Sequence, residues 1–153
     1  MICVAHVRRA MKVMRARLWP ILAGSLDVVV LHSVAQYLTP QELDALLVLF
    51  RRLIAENGTV ILGDVVPPHV SAWTDAVALI RFGAANGFLG ATLVGLVRTL
   101  VSDYWRLRFD LGLTRYSEAA MIAKLAAGGF SARRAPANIG HNRARMTFIA
   151  RRT

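Results

Sequence analysis

Asp27 to Leu31 is a short apolar run with three consecutive valines, Val28, Val29 and Val30, the pattern of a strand covered on both faces in a parallel sheet. His32 and Ser33 form its polar tip. Thr39, Pro40 and Glu42 then carry helix-start signals: a hydroxyl to accept an orphan backbone N–H, a proline at the first helical position and the acid of a capping box. Leu43, Leu46, Leu47, Phe50 and Ile54 recur at helical spacing, with Asp44 near the start and Arg51 and Arg52 near the end to complement the helix dipole. Asn57 and Gly58 predict the helix stop, and Thr59 to Gly63 predict a second apolar strand before Pro67 and Pro68. A strand–helix–strand crossover is right-handed, so both strands run the same way. Segments 32–37 and 64–69 then emerge at one sheet edge, where open α/β sheets bind ligands.

Beyond the second strand, residues 70–116 have helical periodicity, with Trp73, Val77 and Ile80 on one face; this reads as a helical insertion covering the sheet edge. Phe82 to Val97 is uncharged between Arg81 and Arg98. That is shorter than the roughly 20 residues of a spanning helix, so buried helices are expected. Gly83, Gly87 and Gly90 point to close helix packing, since no strand leads into them as a phosphate loop requires. Ser117 and Glu118 open another helix carrying Met121, Ile122 and Leu125, stopped by Gly128 and Gly129. Strands follow at Phe130 to Ala135 and Met146 to Arg151. The connection between them is too short for a helical crossover, so a hairpin and a final antiparallel strand are expected.

A chain of 153 residues that is 56% hydrophobic can bury one substantial core, and nothing in it marks a second folded unit. The lone Cys3 excludes an internal disulfide framework, and no stretch has the make-up of a secretory signal, so a cytoplasmic setting is expected. The formal charge is +10, but Arg8, Arg9, Lys12, Arg15 and Arg17 supply half of it within the first 26 residues, where no acid occurs. The remaining bases are scattered, without the aromatic interleaving of a nucleic-acid groove. Residues 1–25 form a separate basic amphipathic segment. Val4, Val7, Met11, Met14 and Leu18 make an apolar stripe flanked by arginines, read as a terminal helix packed on the domain; a membrane-surface or partner-binding helix and a mis-assigned start are the alternatives.

The stretches LDVVVLHSVAQYL, ENGTVILGDVVPP, YSEAAMIAKLAAGGF and RMTFIARR together resemble the carboxyl-terminal half of a class I S-adenosylmethionine-dependent methyltransferase, over residues 26–153. In that family the first resembles the fourth strand and its loop, the second the fifth strand, the third the last helix, and the end the sixth and seventh strands. The resemblance implies an α/β fold: a partial Rossmann-like sheet with parallel strands, a helical insertion at about 70–116 and an antiparallel carboxyl-terminal strand. It also implies methyl transfer from S-adenosylmethionine to a small-molecule acceptor. The family's glycine-rich turn and its ribose-binding acid are not in the sequence. Each strand–helix–strand unit takes about 30 residues or more, so the segment before Asp27 is too short to hold them. The expectation is therefore a truncated gene model, a decayed gene or one half of a split enzyme, with impaired activity and an open strand edge that invites a second chain or self-association. The alternative is a non-catalytic interaction subunit.

Methyl transfer is an in-line displacement that depends on positioning, so no fixed triad is expected. By the resemblance, His32, Ser33 and Val34 lie against the cofactor, while Gln36 and Tyr37 border the acceptor. His32 is a candidate base for an acceptor proton, against a histidine simply bonded to its loop. Asp64, at the ligand edge, is a second candidate catalytic residue, placed to hold a polar acceptor. Asp27 reads as a structural anchor and His69 as a solvated loop residue. Tyr104, Trp105 and Tyr116 are candidates for the acceptor pocket or for the core. The loop NIGHNRAR, residues 138–145, gathers Asn138, His141, Asn142, Arg143 and Arg145; it reads as a solvated hairpin tip, with contact to an anionic substrate or partner as the alternative. No metal site is expected.

Overall fold

The computed structural model describes residues 21–100 and 113–153. The basic segment through residue 20, and Tyr104 and Trp105, lie outside the described residues. In chain order the elements are β1 (Leu26–His32), a 3-10 turn (Ala35–Tyr37), α1 (Pro40–Leu53), β2 (Ile54–Val65), α2 (Ala72–Ala85), α3 (Leu89–Leu100), α4 (Glu118–Ala127), β3 (Phe130–Arg134) and β4 (Met146–Arg152). The sheet order is β1-β2-β4-β3, with β1 and β2 parallel and β4 antiparallel to both its neighbours. The α/β class, the parallel pair and the antiparallel last strand are as the sequence predicts. The hairpin partners differ in placement, since β4 slots between β2 and β3 and leaves β3 at the edge.

Helix α1 starts where its signals lie. The Thr39 hydroxyl accepts from the Glu42 N–H at 3.2 Å, Glu42 accepts from the Thr39 N–H at 2.9 Å, and Pro40 occupies the first turn. Its end is a correction. The helix stops at Leu53, not at Asn57, because Ile54 turns extended (φ −73°, ψ 136°) and is fully buried opposite Leu26 of β1. The register then jumps from Leu26↔Ile54 to Val28↔Thr59, so residues 55–58 bulge out of the ladder. Gly58 allows this: a Cβ there would lie 2.6 Å from Ile54 Cγ1 and 2.9 Å from the Leu26 carbonyl oxygen.

The core occupies one face of the sheet. Leu31, Val60, Leu62, Phe148, Ala150 and Phe130 meet Leu43, Leu46, Leu47, Phe50 and Leu53 of α1 and Met121 and Leu125 of α4. Each such side chain contributes roughly 1.5–3 kcal/mol by leaving water. On the other face, Val28 and Val30 of the edge strand β1 are 55% and 56% exposed. The expected two-sided cover of β1 is therefore present on one side only among the described residues.

Helices α2 and α3 pack chiefly on each other. A Cβ at Gly83 would collide with Thr92, so close packing accounts for this glycine, whereas Gly87 (φ 78°) makes the turn between the two helices and it and Gly90 face open space, so the expected packing role holds for Gly83 alone. Among the described residues no helix is long and apolar enough to cross a membrane. The chain returns over the strand tips at residues 113–116. There the Thr114 N–H donates to the Gln36 carbonyl at 2.9 Å, the Thr114 hydroxyl to the Leu38 carbonyl at 2.7 Å, and the Tyr116 N–H to the Val66 carbonyl at 3.0 Å.

Candidate functional site at the strand tips

The parallel strands end side by side, with His32 opposite Gly63. The next residue on each is left-handed without being glycine: Ser33 at φ 56° and Asp64 at φ 64°. Such backbone is sparsely populated and persists where its surroundings over-determine it. Two causes are visible. The β2–β4 register steps from Leu62↔Phe148 to Val65↔Met146, a bulge that re-aims Asp64. The Ser33 N–H also donates to the Gly63 carbonyl at 3.1 Å, and its hydroxyl to Asp64 Oδ2 at 2.8 Å. With its amide out of the ladder, Asp64 donates instead to Asn138 Oδ1 at 3.2 Å.

Asp64 is the hub of a buried polar network. Its Oδ1 accepts from Asn138 Nδ2 at 2.9 Å, and its Oδ2 accepts from Arg145 as well as from Ser33. Arg145, 8% exposed, also forks onto Asp75 of α2, with Nε to Oδ1 at 3.0 Å and Nη2 to Oδ2 at 2.7 Å. Asn142 Nδ2 adds a bond to Asp75 Oδ1 at 2.7 Å, and Asn138 Oδ1 accepts from the Thr147 hydroxyl at 2.8 Å. Burial alone would raise the Asp64 pKa, but the hydrogen bonds from Asn138 and Ser33 and the charge of Arg145 outweigh it and hold the carboxyl below its ordinary range. Burial would likewise lower Arg145, yet its bonds to Asp75 and the charge of Asp64 keep it firmly protonated. A guanidinium bidentate to one carboxylate and shared with a second is a strong, directional link. An ionised carboxylate with both oxygens occupied is suited to fixing loops and poorly suited to taking a proton.

The other predicted site residues divide. His32 is exposed, and its ring lies over Gly63: a Cβ there would come within 2.7 Å of His32 Nδ1. Gln36 is 4% exposed, and its Oε1 has no hydrogen-bond partner among the described residues. Tyr37 beside it is 38% exposed. Val34 is half-buried against the core. Tyr116 belongs to the core cluster, its hydroxyl buried without a partner among the described residues, and burial together with the nearby charge of Asp44 raises its pKa. Tyr104 lies outside the described residues. Asp27 and His69 are exposed. Among the described residues no three His, Cys, Asp or Glu side chains gather as a metal site.

The loop 138–145 is a second correction. Asn138, Asn142 and Arg145 turn inward to the network, and Asn142 is 2% exposed; only part of the loop, including His141 and Arg143, faces solvent. Asp75 had no signal beyond its place in the first turn of α2. The cue to the loop's role was its two amides four residues apart, able to satisfy backbone and carboxylate together.

No protein-family model and no curated protein sequence matches the chain. Solved structures do. A possible exported protein from Bordetella parapertussis superposes with a TM-score of 0.53 at 17% identity, over 88% of this chain and 42% of that one. A protein of Nostoc punctiforme provisionally assigned as an O-methyltransferase gives 0.50 at 16% identity, over 88% and 34%. LepI, in complex with S-adenosylhomocysteine (SAH) and a substrate analogue, gives 0.50 at 11% identity, over 84% and 27%. The chain thus spans less than half the length of each of these structures. With its sheet order and parallel strand tips, it has a class I S-adenosylmethionine-dependent methyltransferase-like fold.

Proposed function

We propose that the strand tips of β1 and β2 form one wall of a site for methyl transfer from S-adenosylmethionine to a small-molecule acceptor. One observation carries this reading: an exposed imidazole, His32, directly precedes the braced Ser33–Asp64 pair at the strand tips, and Gln36 Oε1 four residues on is buried without a partner among the described residues. The cofactor would supply a methyl on a sulfonium, a leaving group that departs as a neutral thioether. His32, exposed at the end of β1, accepts the proton that the acceptor loses as its new bond to the methyl carbon forms. Ser33 and Val34 line the cofactor side. Gln36 Oε1, without a partner among the described residues, is an acceptor suited to a ligand N–H or O–H donor, since buried polar atoms are ordinarily paired. Asp64 serves as a positioning residue, braced by Asn138 and Arg145. The opposite wall of the cofactor site falls to polypeptide other than residues 26–153.

The test is a titration of the isotopically labelled chain with SAH to millimolar levels, followed by amide nuclear magnetic resonance. Shifts centred on residues 31–37 and 63–65 are expected, with weak affinity because the described residues supply one wall of the site. Shifts confined to other regions, or none at all, would defeat the proposal. A second reading, an interaction subunit that joins another chain, is favoured by the open face at Val28 and Val30.

A further inference from the structure

Beside the strand tips, two adjoining hollows of about 630 and 540 Å³ run between α2 and the loop before β4, meeting at Phe82, His141 and Arg143. The helix wall adds Trp73 and Arg81. Trp73 is 77% exposed and Phe82 42%, a large aromatic surface for solvent to face. The Phe82 ring stacks edge-on to Phe88 at 5.6 Å and lies 5.9 Å from the His141 ring, so the groove has an aromatic ledge. Among the described residues no carboxylate lines either hollow. Among the described residues neither Arg81 nor Arg143 has an ion-pair partner.

The walls are fixed relative to each other. Arg145 and Asn142 tie the loop to Asp75 of α2 from below, through bonds of 2.7–3.0 Å. Arg143 lies between these two anchors in sequence, so its backbone is held while its side chain faces out. A ligand entering here meets a preformed site, which lowers the ordering cost of binding.

We propose that this groove binds a small planar aromatic molecule bearing a carboxylate, with its ring on the Phe82–His141 ledge and its carboxylate on Arg81 and Arg143. Flat aromatic faces accept a flat ring, and guanidinium forks match a carboxylate in geometry as well as charge. The assignment stands on the groove's own lining. If the methyl-transfer reading also holds, the groove adjoins the strand tips through Gly140, whose Cβ would lie 2.7 Å from Asp64 Oδ1, and it would select the acceptor.

Isothermal titration of the full chain with anthranilate, anthranilamide and inorganic phosphate tests this without any cofactor, so its outcome is separable from that of the SAH experiment. Anthranilate is expected to bind saturably, with the neutral amide and phosphate each weaker by about tenfold or more. Arg81→Gln and Arg143→Gln should each weaken anthranilate by roughly tenfold, while Arg133→Gln, on β3 outside the groove, leaves it unchanged. Circular dichroism confirms that the variants are folded. Equal binding of the amide removes the carboxylate from the assignment, equal binding of phosphate removes the ring, and equal weakening by Arg133→Gln or absence of anthranilate binding overturns it outright.

Discussion

Asp64 is the residue on which the strand tips turn, and its chemistry sets a pH dependence. Its carboxyl titrates below the ordinary 3.8 because Asn138, Ser33 and Arg145 together overcome the burial that would raise it. Above pH 3.8 the folded and the unfolded chain both carry it ionised, and its stabilisation is fully present. As pH falls, the unfolded chain takes up the proton first, so stability declines from 3.8 down through the depressed folded value. Urea melts across this window should show that loss, and Asp64→Asn should flatten it; an unchanged acid limb would mean the carboxylate contributes nothing to folding. The polar tips His32, Ser33 and Asp64 were legible because each directly follows an apolar run. The partners of Asp64 were not, since Asn138 and Arg145 lie 74 and 81 residues away and no local pattern links them.

At the level of elements, the sequence is most readable where the physics is local. The start of α1 rests on Thr39, Pro40 and Glu42, which act within one turn, and the end of α4 on Gly128 and Gly129, so both were foreseen. The end of α1 was misread because Ile54 continues the helical spacing, yet it gains more by pairing with Leu26 and burying fully, an outcome set by tertiary contact. Gly58 is the residue that permits it. Gly58→Ala would press a methyl against the Leu26 carbonyl at 2.9 Å and the Asp27 carbonyl at 3.0 Å. Backbone atoms in a strand yield little, so a loss of about 1–3 kcal/mol is expected, measured by chemical denaturation. A loss under ~0.5 kcal/mol would mean that β1 and the bulge are not in close contact in solution. The loop 138–145 was misjudged for the opposite reason. Its composition suits solvent, and its burial depends on two acids, Asp64 and Asp75, held on other elements.

Across the whole molecule, the parallel pair and the antiparallel last strand were legible from connection lengths, whereas the position of β4 inside the sheet was not, because strand order leaves no local mark. The face of β1 left uncovered among the described residues bears on how the chain behaves in solution. Val28 and Val30, more than half exposed at an edge strand, favour association with another polypeptide. Val28→Lys with Val30→Lys should shift sedimentation toward monomer at unchanged thermal stability; an assembly that persists would place the contact elsewhere. The site of β4 also governs the order of events in folding. The β1, α1 and β2 unit can form from neighbouring segments, but β3 is made before the strand that joins it to the sheet. Val60 meets Ala150 only after some 90 intervening residues, a closure whose entropy must be met before its contacts reward it. Until β4 threads between them, β2 and β3 both present unsatisfied edges, so the slow step of folding is also the window in which a nascent or refolding chain is most exposed to mispairing with its neighbours.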